Sequence, residues 1–140
     1  MAAPRPLSDG PVGLPEGDFV MVEWGDPGGV TGPDRPIAGL HTHHEDDEAW
    51  YVLEGRLGFR LDGETFEAGP GEVVFAGRGS PHTFWNAGGA APTRYILVMT
   101  PRIHQLVQAL HAPGAGGYAE IFRAHASELL VGATRQGQPG

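Results

Sequence analysis

The sequence predicts an all-β domain of short strands in a closed or sandwiched arrangement, followed by a short helical tail. Short apolar runs, several of them alternating with polar residues, recur through the first 100 residues. The 23 glycines and 13 prolines stand between these runs, as turn residues stand between strands. Only after Pro101 do the apolar residues take up helical spacing.

Residues 1–18 are rich in Pro, Gly and Asp, and their apolar residues are too isolated to pack, which predicts a flexible N-terminal arm. We predict a β-barrel over residues 19–100. Its strands are expected at residues 19–24, 37–43, 48–54, 56–61, 64–67, 72–76, 81–86 and 93–100. Asp62-Gly63 is the dipeptide that a type I′ hairpin turn prefers, so a tight hairpin is expected there.

Residues 101–140 are predicted to form a helical tail. A first helix is indicated by four apolar residues at helical spacing, which are Ile103, Leu106, Val107 and Leu110. The Gly-rich residues 114–117 break it. A second helix would carry Ile121, Phe122, Leu129 and Leu130. An apolar stripe such as the first must be buried, either on the barrel or on a partner.

Charge and composition exclude several classes of protein. The formal net charge is −8, and the nine basic residues, all Arg, are scattered. They form no basic stripe that could neutralise phosphates, so we expect no nucleic-acid partner. No apolar run reaches the roughly 18 residues of a membrane span, so no membrane association is expected. The N-terminus lacks the apolar core of a secretory signal, so a cytoplasmic location is the default expectation. The chain contains no Cys, so its sequence does not indicate a redox compartment.

Three histidines and one glutamate stand at spacings that suit a metal site. His41 and His43 are two residues apart in a predicted strand, so their imidazoles point to the same face. Glu48 begins the next strand and His82 begins a later one, and both can approach the same point. Three imidazoles and one carboxylate suit one divalent ion of Fe, Mn, Ni, Zn or Co rather than Ca or Mg. Four protein ligands on an octahedral ion leave up to two positions for water, substrate or dioxygen.

These residues resemble the two motifs of the cupin family. The first has the form G-x5-H-x-H-x3,4-E-x6-G; His41, His43, Glu48 and Gly55 match it, and Arg35 stands where the opening Gly would be. The second has the form G-x5-P-x-G-x2-H-x3-N. Its matching residues are Gly71, Gly79, His82 and Asn86, with Gly77 in place of the Pro.

The resemblance covers about residues 37–100. It implies the cupin double-stranded β-helix, a jelly-roll barrel, with His41, His43, Glu48 and His82 as metal ligands. It looks closest to small single-domain cupins that include quercetin dioxygenase-like proteins. Cupins of this kind are often dimers, so a homodimer is a further expectation, and the strand at residues 19–24 could pair with or pack on a second copy.

Other polar residues near the motif have simpler interpretations. His44 faces away from the side that His41 and His43 share. Residues 45–47 (Glu-Asp-Asp) are expected to form a solvated turn. His104, His111 and His125 fall on predicted helices, where they are expected at the surface or at an interface rather than as ligands.

Strand parity, counted from the ligands, also predicts a substrate pocket. Residues that alternate with Glu48 and His82, together with one on the facing strand, would point inward; they are Trp50, Val52, Phe59, Phe84 and Asn86. Most barrel interiors are filled by such residues as core. Trp50 and Phe84 lie two residues from a ligand, so they are the ones expected to touch a small aromatic or apolar substrate as well.

The function predicted first is a mononuclear non-haem metalloenzyme, by preference an Fe(II) dioxygenase acting on a small aromatic or apolar molecule. Glu48 would be a ligand and, as the resemblance to dioxygenase cupins implies, a catalytic base when it leaves the metal. One alternative is a metal-assisted isomerase or cyclase of a small metabolite, with the ion acting only as a Lewis acid. Another is a non-catalytic module that binds a small molecule, since the fold does not decide among these functions.

Overall fold

Two five-stranded antiparallel sheets face each other in the computed structural model, which describes residues 3–29 and 32–130. The strands in chain order are β1 (Val12–Gly13), β2 (Val20–Asp26), β3 (Ala38–His43), β4 (Glu48–Glu54), β5 (Leu57–Leu61), β6 (Glu64–Ala68), β7 (Val73–Ala76), β8 (His82–Asn86), β9 (Thr93–Met99) and β10 (Ser127–Leu129). The first sheet has the order β1-β2-β9-β4-β7, and the second has the order β10-β3-β8-β5-β6. This arrangement confirms the predicted jelly-roll β-fold, and the eight predicted strands correspond to β2 to β9.

Alternation along the strands decides what is buried between the sheets. In β4 the side chains of Glu48, Trp50 and Val52 are buried, whereas that of Tyr51 is exposed. In β9 every second residue from Thr93 to Met99 is buried. Because successive side chains of a strand point to opposite faces, the two inner faces meet in one apolar core.

The Asp62-Gly63 dipeptide connects β5 to β6 as predicted. Both residues have positive φ, 51° for Asp62 and 82° for Gly63, which is what the two central positions of a type I′ turn require. The hairpin register then pairs Leu61 with Glu64 and Phe59 with Phe66. The ring of Phe66 stacks on that of Phe59, with the ring centroids 5.7 Å apart.

The C-terminal region begins with helix α1 (Pro101–Leu110). Thr100 caps the N-terminus of this helix, because the Thr100 side chain accepts a hydrogen bond of 3.3 Å from the Ile103 N–H. The apolar stripe of α1 is buried at Ile103, Leu106 and Leu110, and Val107 is partly buried. Helix α2 (Tyr118–Ala124) follows and packs Phe122 against Leu106 and Leu110.

The prediction that the second helix carries Leu129 and Leu130 is wrong. The helix ends at Ala124, and Ala126 has a φ of 54°, a left-handed conformation that no α-helix continues through. The chain then runs antiparallel to β3 as β10, with Leu129 opposite His41, and the N–H of Leu130 donates to the carbonyl of Leu40 at 2.9 Å.

Residues within the predicted arm also contain regular structure. A 3-10 turn spans Leu7–Asp9, and β1 pairs with the start of β2, with Val12 opposite Met21. The division of the chain into an arm, a barrel and a tail remains a prediction. Within the described ranges, no helix has both the length and the apolarity needed to cross a membrane.

Candidate metal centre

The four predicted metal ligands meet at one point between the sheets. Each of the four residues offers one ligand atom, and these atoms lie within 4.8 Å of one another. His41 and His82 are directly opposite each other in the β3–β8 pair, and His43 follows on the same face of β3. Glu48 approaches from the other sheet, at the start of β4. All four side chains are buried, with exposed fractions from 1% to 6%.

Hydrogen bonds at Nδ1 orient two of the imidazoles. The Nδ1 atom of His41 lies 2.6 Å from the carbonyl oxygen of Gly39, and that of His82 lies 2.9 Å from the carbonyl oxygen of Ser80. A carbonyl only accepts, so Nδ1 carries the proton in both rings. The lone pair of each neutral imidazole is therefore at Nε2, which is the arrangement that metal-binding histidines show when a second contact fixes their tautomer.

The third imidazole is oriented by Ser127 of β10. His43 Nδ1 lies 2.7 Å from Ser127 Oγ, which in turn donates to the carbonyl of His125 at 3.0 Å. Because the hydroxyl proton is directed to that carbonyl, Ser127 Oγ accepts from His43 Nδ1–H. Ser127 is 2% exposed. No sequence pattern indicates this residue, since a lone Ser 84 positions from His43 belongs to no ligand spacing.

Glu48 lies between two of the histidines. Its Oε1 atom is 3.2 Å from His82 Nε2 and 3.2 Å from His43 Nε2. Without a metal ion, the contact with His82 is a hydrogen bond only when Nε2 also carries a proton; burial opposes that proton, but Glu48 outweighs burial and raises the pKa of His82. Among the described residues, His43 Nε2 is a buried ring nitrogen without a hydrogen-bond partner. A buried polar atom in this condition costs free energy unless a ligand or an ion satisfies it.

The charges of the cluster favour an ionised glutamate and a neutral His41. Burial opposes ionisation of Glu48, but its interactions with His43 and then His82 outweigh burial and lower the pKa of its carboxyl below the ordinary value. Burial lowers the pKa of His41 well below its ordinary value, and the neighbouring His82 and His43 lower it further. Metal ligands must be deprotonated, so both shifts keep these two groups in the form that a cation binds.

The donor set fits a divalent transition metal. The ligand atoms of three imidazoles and one carboxylate converge, and His43 Nε2 has no hydrogen-bond partner among the described residues. A nitrogen-rich set of this kind suits Fe, Mn, Co, Ni or Zn, whereas Ca and Mg prefer oxygen ligands throughout.

A family model described as a cupin domain matches residues 26–99, more than half of the chain. The chain belongs to the cupin family. Among solved structures, the cupin domain of Schizosaccharomyces pombe Cnp3 aligns with a TM-score of 0.54 and 16% identity, covering 65% of this chain and 61% of that one. An uncharacterised conserved protein with a double-stranded β-helix domain from Klebsiella pneumoniae aligns with a TM-score of 0.51 and 24% identity, covering 69% of this chain and 77% of that one. At these identities the likeness shows the fold alone.

A curated relative is the uncharacterised protein MJ1618 of Methanocaldococcus jannaschii. It is 39% identical over 62 residues, which are 44% of this cupin and 49% of that protein. The chain therefore spans about half the length of the curated relative that it matches.

The apolar residues predicted to line a pocket in this cupin all point into the barrel. Trp50, Val52 and Phe59 are fully buried, and Phe84 is 4% exposed. The Trp50 ring lies 5.3 Å from the ring of His82 and 5.4 Å from that of Phe84, measured between centroids. Trp50, Phe59 and Phe84 form an aromatic layer directly beside the metal centre. That a substrate contacts this layer remains a prediction.

Asn86 lies at the other end of β8 from His82 and does not reach the four ligands. Its side-chain nitrogen donates to the Ala91 carbonyl at 2.9 Å and to Asp26 Oδ1 at 3.2 Å. Its Oδ1 accepts from the Gly88 N–H at 2.7 Å. The amide thus holds the β8–β9 connection and the end of β2 together.

The polar residues around the motif take three different positions. His44 is half exposed and lies 3.5 Å from Glu128, away from the cluster as predicted. Asp47 is on the surface, where bonds from Arg78 lower the pKa of its carboxyl. The prediction of a solvated turn is wrong for Asp46, which is 4% exposed and lies 3.0 Å from the guanidinium of Arg102 in α1. This pair holds the ligand-bearing loop against the C-terminal helix.

Phe122 of α2 is a further residue that sequence reasoning did not connect with the site. Its ring centroid lies 5.3 Å from that of His41. Because Phe122 is also packed among Leu106 and Leu110, the helical region covers the metal centre from one side.

Proposed function

We propose that this cupin is a mononuclear, metal-dependent dioxygenase that acts on a small aromatic or apolar molecule. The observation that carries the proposal is the converging set of three oriented imidazoles and one ionised carboxylate beside an aromatic layer. His41, His43, His82 and Glu48 would hold the ion. When bound, Fe(II) would supply the capacity to take up dioxygen and substrate in the positions that four protein ligands leave open.

The protein contributes position, proton handling and exclusion of water. The Nδ1 contacts to Gly39, Ser80 and Ser127 hold the three imidazoles in one tautomer and one orientation. Glu48 is buried and ionised, so after leaving the ion its carboxylate could accept a proton from an acidic substrate hydroxyl. Trp50 and Phe84 would form an apolar wall against which an aromatic ring can pack.

Oxygen consumption provides the test. Protein loaded with Fe(II) would be presented with a panel of catechols and flavonols, the latter because the small single-domain cupins that this chain resembles include quercetin dioxygenase-like proteins. We expect oxygen uptake coupled to loss of one class of substrate. The matched controls are Zn-loaded protein and Glu48→Gln, which keeps the size of the side chain but removes its charge and basicity.

The outcomes separate the candidate functions. Substrate loss without oxygen uptake, in Zn-loaded protein under anaerobic conditions, would overturn the dioxygenase and support a Lewis-acid isomerase or cyclase. Saturable binding of panel members without any turnover would support a binding module instead.

A further inference from the structure

The indole N–H of Trp50 is a buried donor for which the described part of the protein supplies no acceptor. The Trp50 side chain is fully buried, and its Nε1 atom has no hydrogen-bond partner among the described residues. An indole N–H can only donate, and a buried tryptophan usually has an acceptor for it. A donor without an acceptor destabilises the core relative to an apolar side chain at the same position. Packing alone therefore does not explain this N–H.

The rings around Trp50 cannot accept this hydrogen bond through a lone pair. The indole contacts the rings of Phe59, His82 and Phe84, with the centroids 5.2, 5.3 and 5.4 Å away. Phenylalanine has no polar atom in its side chain. Both nitrogens of His82 are directed elsewhere, Nδ1 to a backbone carbonyl and Nε2 toward Glu48. The missing acceptor therefore does not come from the aromatic layer or from the ligand beside it.

Trp50 lies where a substrate would be held. It follows Glu48 by two residues in β4, and both side chains are buried on the inner face of the strand. Its ring is in direct contact with that of His82, another of the four ligands. The inner face beside the ligands is also where the proposed substrate binds, so an atom of the substrate can supply the acceptor that the protein lacks.

We infer that Trp50 is a specificity-determining residue, whose indole N–H donates a hydrogen bond to an oxygen on the ring of the substrate. This inference rests on the proposed function, in which an aromatic molecule packs against Trp50 and Phe84, and it narrows the class of that molecule. A hydroxylated or oxo-substituted aromatic ring satisfies the N–H, whereas a hydrocarbon leaves it without an acceptor. A site built to form a hydrogen bond rejects an analogue that lacks the partner. The substrate is therefore an aromatic molecule that carries oxygen.

Heteronuclear NMR of Zn-loaded protein, which is diamagnetic, tests the hydrogen bond directly. The chain contains three tryptophans, so Trp24→Phe and Trp85→Phe assign the Trp50 indole resonance by elimination, whether or not Trp50→Phe folds. The probes are catechol and o-xylene, which has methyl groups where catechol has hydroxyls. We expect saturating catechol to move the Trp50 Nε1–H proton resonance downfield, as hydrogen bonding does, and o-xylene not to do so.

Binding affinities separate donation of a hydrogen bond from simple ring contact. Trp50→Phe keeps an aromatic ring but removes the N–H, so it should weaken catechol binding by about 10-fold more than it weakens o-xylene binding. Trp85→Phe is the matched control, because Trp85 lies on the outer face of β8, over Gly58, and it should change neither affinity. Isothermal titration of the Zn-loaded proteins measures the affinities, and far-UV circular dichroism verifies that both variants are folded.

The outcomes distinguish a failure of this inference from a failure of the proposed function. An equal loss of affinity for both probes, an indole resonance that catechol does not move downfield, or no saturable binding of catechol would each overturn the role of Trp50. A downfield shift and a selective loss of catechol affinity, without oxygen uptake by the Fe(II)-loaded protein, would support that role and overturn the dioxygenase. Oxygen uptake with catechol and an unmoved indole resonance would do the reverse.

Discussion

Strand β8 carries a buried polar side chain at each end, and the two ends differ in how their polar atoms are satisfied. His82 and Asn86 are four residues apart, or about 13 Å at roughly 3.3 Å per residue. Every hydrogen-bonding atom of the Asn86 amide has a partner in the protein. At the His82 end, three imidazoles converge on one carboxylate, and His43 Nε2 has no hydrogen-bond partner among the described residues.

The contrast separates a structural network from a binding site. A network closed within the protein stabilises the fold and has no capacity left for a ligand. A network that gathers several lone pairs around one point is costly by itself and becomes favourable when a cation occupies that point. Both ends are equally buried, so burial does not distinguish them. The distribution of donors and acceptors does.

The largest effect on stability should follow from deleting the C-terminal region, which covers the metal cluster at the His82 end of β8. Deleting residues 102–140 removes α1, α2 and β10, and it exposes the surfaces that Ile103, Leu106 and Phe122 now cover. We expect aggregation or a strongly lowered melting midpoint, as well as loss of metal, because Ser127 is also removed. Size-exclusion chromatography and thermal melting would reveal the change. A monodisperse fragment with an unchanged midpoint would show that the helical region is dispensable.

Substitutions in the aromatic layer, which lies between the two ends of β8, should cause the second-largest loss of stability. Trp50→Ala or Phe84→Ala leaves a large cavity in a core where both rings are buried, which costs about 3–5 kcal/mol. Metal content should change little, because neither ring can coordinate an ion. Binding of an apolar ligand should also weaken, by about 1–3 kcal/mol. Urea unfolding and elemental analysis measure the first two effects. Equal loss of metal and stability would mean that the layer orients the ligands.

Substitutions in the metal cluster and at Asn86, the opposite end of β8, should have contrasting consequences. His41→Ala, His43→Ala or His82→Ala should abolish most metal binding while the fold persists, because the core consists of strands and not of the ion. Asn86→Ala should keep the metal but lower the free energy of unfolding by about 1–3 kcal/mol, since it leaves buried polar partners unsatisfied. Elemental analysis after reconstitution and urea unfolding, applied to all four variants, would show the crossed pattern. An absence of bound transition metal in the reconstituted wild type would refute the site itself.

The smallest effect should come from the residue that orients His43. Ser127→Ala removes the acceptor of its Nδ1–H and should weaken metal affinity by about 10- to 100-fold without unfolding the protein. Ser80→Ala is the matched control, because His82 bonds to the backbone carbonyl of Ser80, which the substitution leaves in place. Competition with a metal chelator would measure both affinities. Equal affinities would show that Ser127 is not needed for orientation.

The sequence predicted what depends on local pattern. Alternation located β2 to β9 within a residue or two, and the Asp62-Gly63 dipeptide predicted its hairpin. Parity predicted that the four ligands point to one site, which lies between the two sheets. The residues that were missed depend on contacts between distant parts of the chain. β10 is too short to show a period, and it exists because β3 offers an edge. The sequence pattern around Asp46 is that of an exposed loop, and its burial depends on the contact with Arg102, 56 positions later in the chain.

The bond between His43 and Ser127 joins residues 84 positions apart. During synthesis, at about 5–20 residues per second, the ribosome adds His41, His43, Glu48 and His82 well before it reaches Ser127. The nascent barrel can therefore gather its ligands while His43 is still free to rotate. Final alignment of that ring waits for the strand that supplies its acceptor. A metal ion bound before that strand is in place would meet a site in which His43 lacks the acceptor of its Nδ1–H, and it would bind less tightly.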